Sequence, residues 1–159
     1  MIGRRAAILL GVATAVATLD QLTKGWIVAS VARWESIPVI PGFFDIVHTH
    51  NRGVAFGMFN NLPESMRILF LVALAVAIVI GLIWWAHNNL PRFGDRIAVA
   101  CIVGGAIGNL VDRIRIGEVV DFLDVYLGSH HWPAFNVADS FITCGVVWLI
   151  VSSLRHDRS

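Results

Sequence analysis

The sequence predicts an all-α integral membrane protein of one domain that crosses the bilayer four times. Three observations carry this. Of the 159 residues, 57% are apolar and 14% charged, where an ordinary soluble domain has about 25% charged residues. Mean hydropathy is +0.72. The apolar residues fall in four long runs, at about 6–29, 68–86, 97–112 and 135–154, and about 20 apolar residues in a helix cross the roughly 30 Å hydrocarbon core. Two polar excursions, at about 30–67 and 113–134, separate these runs. The net charge of +1 and the lack of a basic run argue against a nucleic-acid partner.

The first run begins after Arg4 and Arg5, as a secretory signal does. It continues past Asp20 and Lys24 to Val28 without a small-residue exit, so it reads as an uncleaved signal-anchor. Asp20, Gln21, Thr23 and Lys24 stand near its far end. Residues four apart share a helical face, so Asp20 and Lys24 are placed to pair. Either Lys24 snorkels beside a local partner, or this face lines a site inside the protein.

Residues 30–67 are too polar to span and hold Pro38, Pro41, Gly42, Gly53, Gly57 and Pro63. The mixed β-branched and aromatic residues at 44–50 suggest one or two short strands. His48 and His50 alternate and so share a strand face; such a pair is ordinarily solvated, and otherwise half of a metal site. In Asn51-Arg52-Gly53-Val54-Ala55-Phe56-Gly57, two glycines around small apolar residues suggest backbone lying close to a neighbour.

The run at 68–86 has no charge and ends on Trp84 and Trp85, which suit a membrane interface. A short polar turn with Pro91 and Gly94 leads to the run at 97–112. There Gly104, Gly105 and Gly108 give a face small enough for close helix contact. Packing does not explain Asn109, Asp112 and Arg113, which follow within about a turn. Residues 119–126 read as a half-buried strand or an interfacial segment. The last run carries Asp139 one turn inside its start. Cys101 and Cys144 sit in apolar runs and read as small buried hydrophobes rather than a disulfide. No zinc-type spacing is present.

An even number of spans puts both termini on one side. Arg4, Arg5, Arg92, Arg96, Arg155 and Arg158 fall there; Lys24, Arg33, Arg52, Arg67, Arg113 and Arg115 fall opposite. The positive-inside comparison is a tie. The cations on the terminal side flank span ends in short segments, which places the termini in the cytoplasm and both excursions outside.

Of the eleven acidic residues, five lie within 104–139: Asp112, Glu118, Asp121, Asp124 and Asp139. A charge at mid-bilayer costs about 2.5–3.5 kcal/mol on insertion scales. With the expected topology, Asp20, Asn51, Asn109, Asp112, Arg113, Asp121, Asn136 and Asp139 gather at one membrane face, which marks a site. Two close carboxylates can share one proton and drive a water at a carbonyl. Spacing leaves the pairing open among Asp112, Asp121, Asp124 and Asp139. It also leaves open an ion or proton carrier, and a packing role with salt bridges.

The motifs resemble those of the lipoprotein signal peptidases (signal peptidase II, prolipoprotein signal peptidases), bacterial inner-membrane aspartyl proteases. The resemblance rests on Asp20-Gln21-Leu22-Thr23-Lys24, on 51–57, on 104–113 ending in Asn109-Leu110-Val111-Asp112-Arg113, on Val119-Val120-Asp121-Phe122 and on Phe135-Asn136-Val137-Ala138-Asp139. It implies a four-helix bundle with a small extracytoplasmic β cradle and a loop over the site. It implies Asp121 and Asp139 as the catalytic pair. Asp112 and Arg113 would support them, Asn109 and Asn136 would hydrogen-bond around them, and Asp20, Lys24, Asn51 and Gly53 would shape the pocket. Asp124 becomes a bystander. The implied reaction removes the signal peptide from a diacylglyceryl-modified prolipoprotein, before the lipidated cysteine, with no cofactor. Globomycin-type cyclic peptides would block it.

Overall fold

The computed structural model describes residues 2–53 and 63–156. Val54, Ala55, Phe56 and Gly57, from the motif at 51–57, lie outside the described residues, as does most of the loop expected over the site. In chain order the elements are α1 (Ile2–Ser30), β1 (Ser36–Ile40), β2 (Phe44–Asn51), α2 (Glu64–Asn89), α3 (Phe93–Ile116), β3 (Val119–Leu127), β4 (His130–His131) and α4 (Val137–His156). All four helices are long and apolar enough to cross a membrane. The choice left open at 119–126 resolves as a strand.

Helix α3 is the central one: it packs against α1, α2 and α4, while α1 also touches α4. The glycines of α3 allow this. A Cβ on Gly104 would stand 2.5 Å from the Ala13 carbonyl oxygen of α1, and one on Gly105 would stand 2.5 Å from the Ala138 carbonyl oxygen of α4. Gly145 of α4 repeats the device from the other side, where a Cβ would meet Ile102 at 2.6 Å. Helix α2 turns most of its length outward and buries Arg67 and Ala86. Apolar side chains such as Leu69, Ile78, Ile80 and Trp84 are exposed on it, as suits a face solvated by lipid rather than water.

Cys144 also corrects the reading of the two cysteines as buried: it is exposed, Cys101 is half-buried, and both are free thiols. Apolar sequence in a membrane span does not distinguish a face toward protein from a face toward lipid.

The four strands form one antiparallel sheet in the order β1-β2-β3-β4. Strands β1 and β2 follow α1, and β3 and β4 lie between α3 and α4, so the pairing of β2 with β3 joins the two polar excursions. Gly117 turns α3 into β3. Its φ of +74° is left-handed and its N–H bonds the Arg113 carbonyl, as in a left-handed helix cap. A tight turn keeps Asp112, near the end of α3, beside the start of β3.

Replacing Gly104 by alanine is expected to lower stability by about 1–3 kcal/mol, because backbone rather than a flexible side chain opposes the new methyl. Gly81→Ala, with nothing within 4 Å of the added carbon, should be neutral or slightly stabilising. Thermal unfolding of both variants in detergent checks the contrast.

Candidate active site

The site starts from a buried cation. Lys24 is 3% exposed, although it sits in a membrane helix. Its Nζ lies 2.8 Å from Asp20 Oδ2 and 2.8 Å from Asp112 Oδ2. It also donates to Asn109 Oδ1 at 2.8 Å. An ammonium has three donor hydrogens, so each finds an acceptor. The snorkelling alternative fails because these partners hold the ammonium inside the protein. Helical spacing brings Asp20 under Lys24; α3, packed on α1, supplies Asn109 and Asp112.

Gly108 makes room for this group. A Cβ there would stand 2.5 Å from Asp20 Oδ2, so Gly108 admits a carboxylate where Gly104 and Gly105 admit backbone. The other Asp20 oxygen accepts the Ala138 N–H at 2.9 Å. Asn136 Oδ1 accepts the Asp139 N–H at 2.9 Å. Both N–H groups belong to the first turn of α4, whose leading amides have no intrahelical partners. Helix α4 begins at Val137 rather than Phe135, with Asn136 as its cap. Asp139 therefore sits in the first turn, where the helix dipole favours negative charge.

Two asparagines carry the network on to the remaining carboxylates. Asn109 must turn its oxygen to the Lys24 ammonium, so its Nδ2 faces away and donates to Asp139 Oδ1 at 2.7 Å. Asn136 Nδ2 donates to Asp121 Oδ1 at 2.6 Å and lies 3.2 Å from Asn109 Oδ1. Asp121, on β3, is 2% exposed. Burial pushes its carboxyl up to about 6; hydrogen bonds from Asn51 and Asn136 and the Lys24 charge oppose this, and the field of Asp139 adds to it. One carboxyl is thus primed to hold a proton beside a second carboxylate.

Arg113 bonds its own helix through the Asn109 carbonyl at 3.3 Å and lies in the field of Asp139, Asp121 and Asp112. Gly53, with φ of +74°, brings backbone against it: a Cβ there would be 3.4 Å from Arg113 Nη2 and 3.0 Å from Leu71 Cδ1. The Gly53 N–H bonds Asn51 Oδ1 at 2.8 Å, which turns the Asn51 amide nitrogen toward Asp121.

The structure therefore gathers Asp20, Lys24, Asn51, Gly53, Asn109, Asp112, Arg113, Asp121, Asn136 and Asp139 around one region. Asp124 stands apart and pairs with His131 at 2.9 Å. Two participants that the sequence reading names are given no site role there. Gln21 Nε2 donates to Asp112 Oδ1 at 2.8 Å and to the Gly108 carbonyl at 3.0 Å; its signal was its place in the polar set beside Asp20. Glu118 joins Arg33, His50 and Arg52, and nothing in the chain order announces that meeting.

Residues 12–155 match the family described as signal peptidase (SPase) II. The chain belongs to this family. It is 49% identical over 149 residues to the lipoprotein signal peptidase of Syntrophotalea carbinolica, covering 93% of this chain and 91% of that one. It is 44% identical over 145 residues to the lipoprotein signal peptidase of Syntrophus aciditrophicus, covering 90% and 89%. A bacterial membrane enzyme solved by the in meso method at 1.9 Å superposes with a TM-score of 0.80 at 32% identity, over 93% of each chain. This member of the signal peptidase II family is accordingly a multi-pass membrane protein with four candidate spans.

Two outcomes follow. Lys24→Met leaves the Asp20 and Asp112 carboxylates buried without their cation, and breaking a buried pair costs about 3–5 kcal/mol; a thermal melt in detergent should show a large fall or no folded protein.

The second concerns Asp121 and pH. Its folded value, about 6, lies above the ordinary 3.8, so the folded state binds this proton more tightly than the unfolded one. Stability from this group is full below the ordinary carboxylate range. It is lost as pH rises toward about 6, a difference of roughly 2–3 kcal/mol. Asp121→Asn cannot lose it, so the variant should gain stability relative to wild type between about pH 4 and about pH 7. Paired melts across that range measure the gain.

Proposed function

We propose that this chain is an intramembrane aspartyl endopeptidase that removes the signal peptide from diacylglyceryl-modified bacterial prolipoproteins, cutting before the lipidated cysteine. The observation that carries the reading is Asp121: buried on β3, raised to about 6, and set beside Asp139 by hydrogen bonds through Asn136 and Asn109. Membership of the signal peptidase II family supports the reaction class, and the names of the relatives support a lipoprotein precursor as substrate.

Asp121 and Asp139 form the catalytic pair. The ionised one takes a proton from water, whose oxygen attacks the carbonyl preceding the cysteine. The protonated one donates to the carbonyl oxygen. The tetrahedral intermediate then collapses: the carboxyl that took water's proton gives it to the leaving nitrogen, the C–N bond breaks, and the other carboxylate takes a hydroxyl proton from the intermediate, which restores one proton to the pair. Asn109 and Asn136 orient the carboxylates. Asp20, Lys24 and Asp112 hold those asparagines and the start of α4. Arg113, Asn51 and Gly53 shape the entry for substrate. The two carboxylates supply both acid and base, so the reaction calls for no cofactor.

The same reading places the protein in the cytoplasmic (inner) membrane, with both termini in the cytoplasm and the site near the outer face. The substrate's apolar helix lies among the spans while its acyl chains stay in lipid. Globomycin-type cyclic peptides occupy the same region.

The test is cleavage of a diacylglyceryl-modified prolipoprotein by the purified protein in nanodiscs, beside an unlipidated substrate. Asp121→Asn and Asp139→Asn should each lower the rate by at least about 10³-fold, as loss of a general acid or base does at its upper range, with insertion and folding intact. Cleavage that survives either change would remove that residue from the pair. Proton or ion flux through liposomes without cleavage would favour a transporter instead.

A further inference from the structure

We propose that His48 and His50 bind a single proton between their Nε2 atoms, and that this bridge holds the strand end that presents Asn51 to Asp121. The first half stands on hydrogen-bond chemistry. His48 Nδ1 lies 2.8 Å from the Val31 carbonyl oxygen. A carbonyl only accepts, so His48 Nδ1 carries hydrogen. His50 Nδ1 lies 2.9 Å from Glu118 Oε2. Burial acts to raise the Glu118 carboxyl, but hydrogen bonds from Arg52 and His50 outweigh it and hold the group below its usual range. That carboxylate also only accepts, so His50 Nδ1 carries hydrogen too.

Both hydrogens of two neutral rings are now spent, and the Nε2 atoms face each other 3.1 Å apart. Without another proton, two lone pairs oppose each other. One added proton makes an N–H···N hydrogen bond of ordinary length; two would set N–H against N–H. The contact is therefore satisfied in one protonation state of the pair.

The geometry favours a proton over a metal ion. The ring centroids are 5.2 Å apart, close to the greatest separation that rings touching through those nitrogens can reach. The lone pairs therefore point nearly at one another rather than at a common third point. Among the described residues, no third histidine, cysteine or carboxylate completes a metal-binding set.

The charged and titratable groups around the pair come from each neighbouring segment. Arg33 follows α1 and reaches Glu118 at 3.1 Å; Arg52 follows β2 and reaches it at 2.8 Å. Glu35, before β1, accepts the Ala32 N–H on its side chain and the His48 N–H on its carbonyl. Asp124 of β3 and His131 of β4 line the same groove of about 420 Å³ as His48. His48 is 5% exposed.

The bridge thus ties the end of α1 to β2 and to Glu118. In the β2–β3 pairing Thr49 lies opposite Asp121 and His50 opposite Val120. Asn51 is the next residue. Loss of the proton separates the two rings and lets this strand end, with Asn51, move off Asp121. His48, His50 and Glu118 are then positioning residues. This second half rests on the peptidase reading of Asp121; the first does not.

The test is NMR of the full chain, labelled with ¹⁵N at histidine and asparagine, in detergent micelles between about pH 5 and about pH 8, the range in which imidazoles exchange charge. The expected result is one proton coupled to the Nε2 nitrogens of both His48 and His50. The Asn51 side-chain amide should shift as that proton is lost. In His48→Gln a carboxamide N–H reaches His50 without an added proton, so the Asn51 shift that tracks imidazole should vanish. Two unprotonated Nε2 atoms throughout the range would overturn the proposal. So would signals that depend on added zinc and revert with a chelator, or an Asn51 amide that ignores the proton. No arm needs catalysis: a shared proton in a protein that cleaves nothing would sink the peptidase reading and leave the bridge intact.

Discussion

The constraint on which the rest of the structure depends is the burial of one ammonium ion. Lys24 is surrounded by Asp20, Asp112 and Asn109 at 2.8 Å each. Removing such charges from water costs several kcal/mol per ion, repaid only when geometry and remaining hydrogen bonds are complete. They are complete here because every polar atom that Lys24 recruits has a second task. Asp20 takes an N–H from the first turn of α4. Asp112 takes the Val120 N–H at the start of β3. Asn109 passes on to Asp139. One cation therefore sets α1, α3, α4 and β3 against each other, and none of these can shift without exposing an unpaired charge to a medium that cannot solvate it.

The proposed catalytic pair inherits its geometry from this arrangement. Asp121 comes from a strand and Asp139 from a helix, and Asn136 bonds to both, capping α4 through the Asp139 N–H while donating to Asp121. An asparagine serves where a charged residue would not. A cation at that place would pull Asp121 back toward ordinary acidity, and a carboxylate would repel both members of the pair. The neutral Asn109 stands between the Lys24 ammonium and Asp139, accepting from the one and donating to the other. Asp121, buried and beside a second carboxylate, is left as the group that binds a proton near pH 6.

Much of this was legible in the sequence. Long apolar runs must become helices in a bilayer, since no other segment satisfies its own backbone there. The spacing of Asp20 and Lys24 predicted their pairing, and the glycines of α3 predicted close approach. The grouping of Asp20, Asn109, Asp112, Asp121, Asn136 and Asp139 followed from which membrane face each run ends on. Spacing alone left Asp112, Asp121, Asp124 and Asp139 equivalent as partners. Their difference lies in what surrounds each: Asp112 is spent on Lys24, Gln21 and a backbone N–H, Asp124 faces the exposed His131, and Asp121 and Asp139 are held by neutral amides.

Local chemistry thus determined the spans and the carboxylate-rich face, because hydropathy and helical period act over a few residues. Only the tertiary structure decided that Gly108 makes room for a carboxylate, that Gln21 belongs to the charged cluster, that Cys144 faces outward and that Glu118, in the second excursion, gathers Arg33, His50 and Arg52 from the first. Each of these depends on contacts between segments tens of residues apart, fixed when α3 packs against α1 and α4 and β2 pairs with β3. Periodicity shows that a helix has two faces; the neighbour that packs on it decides what each face meets.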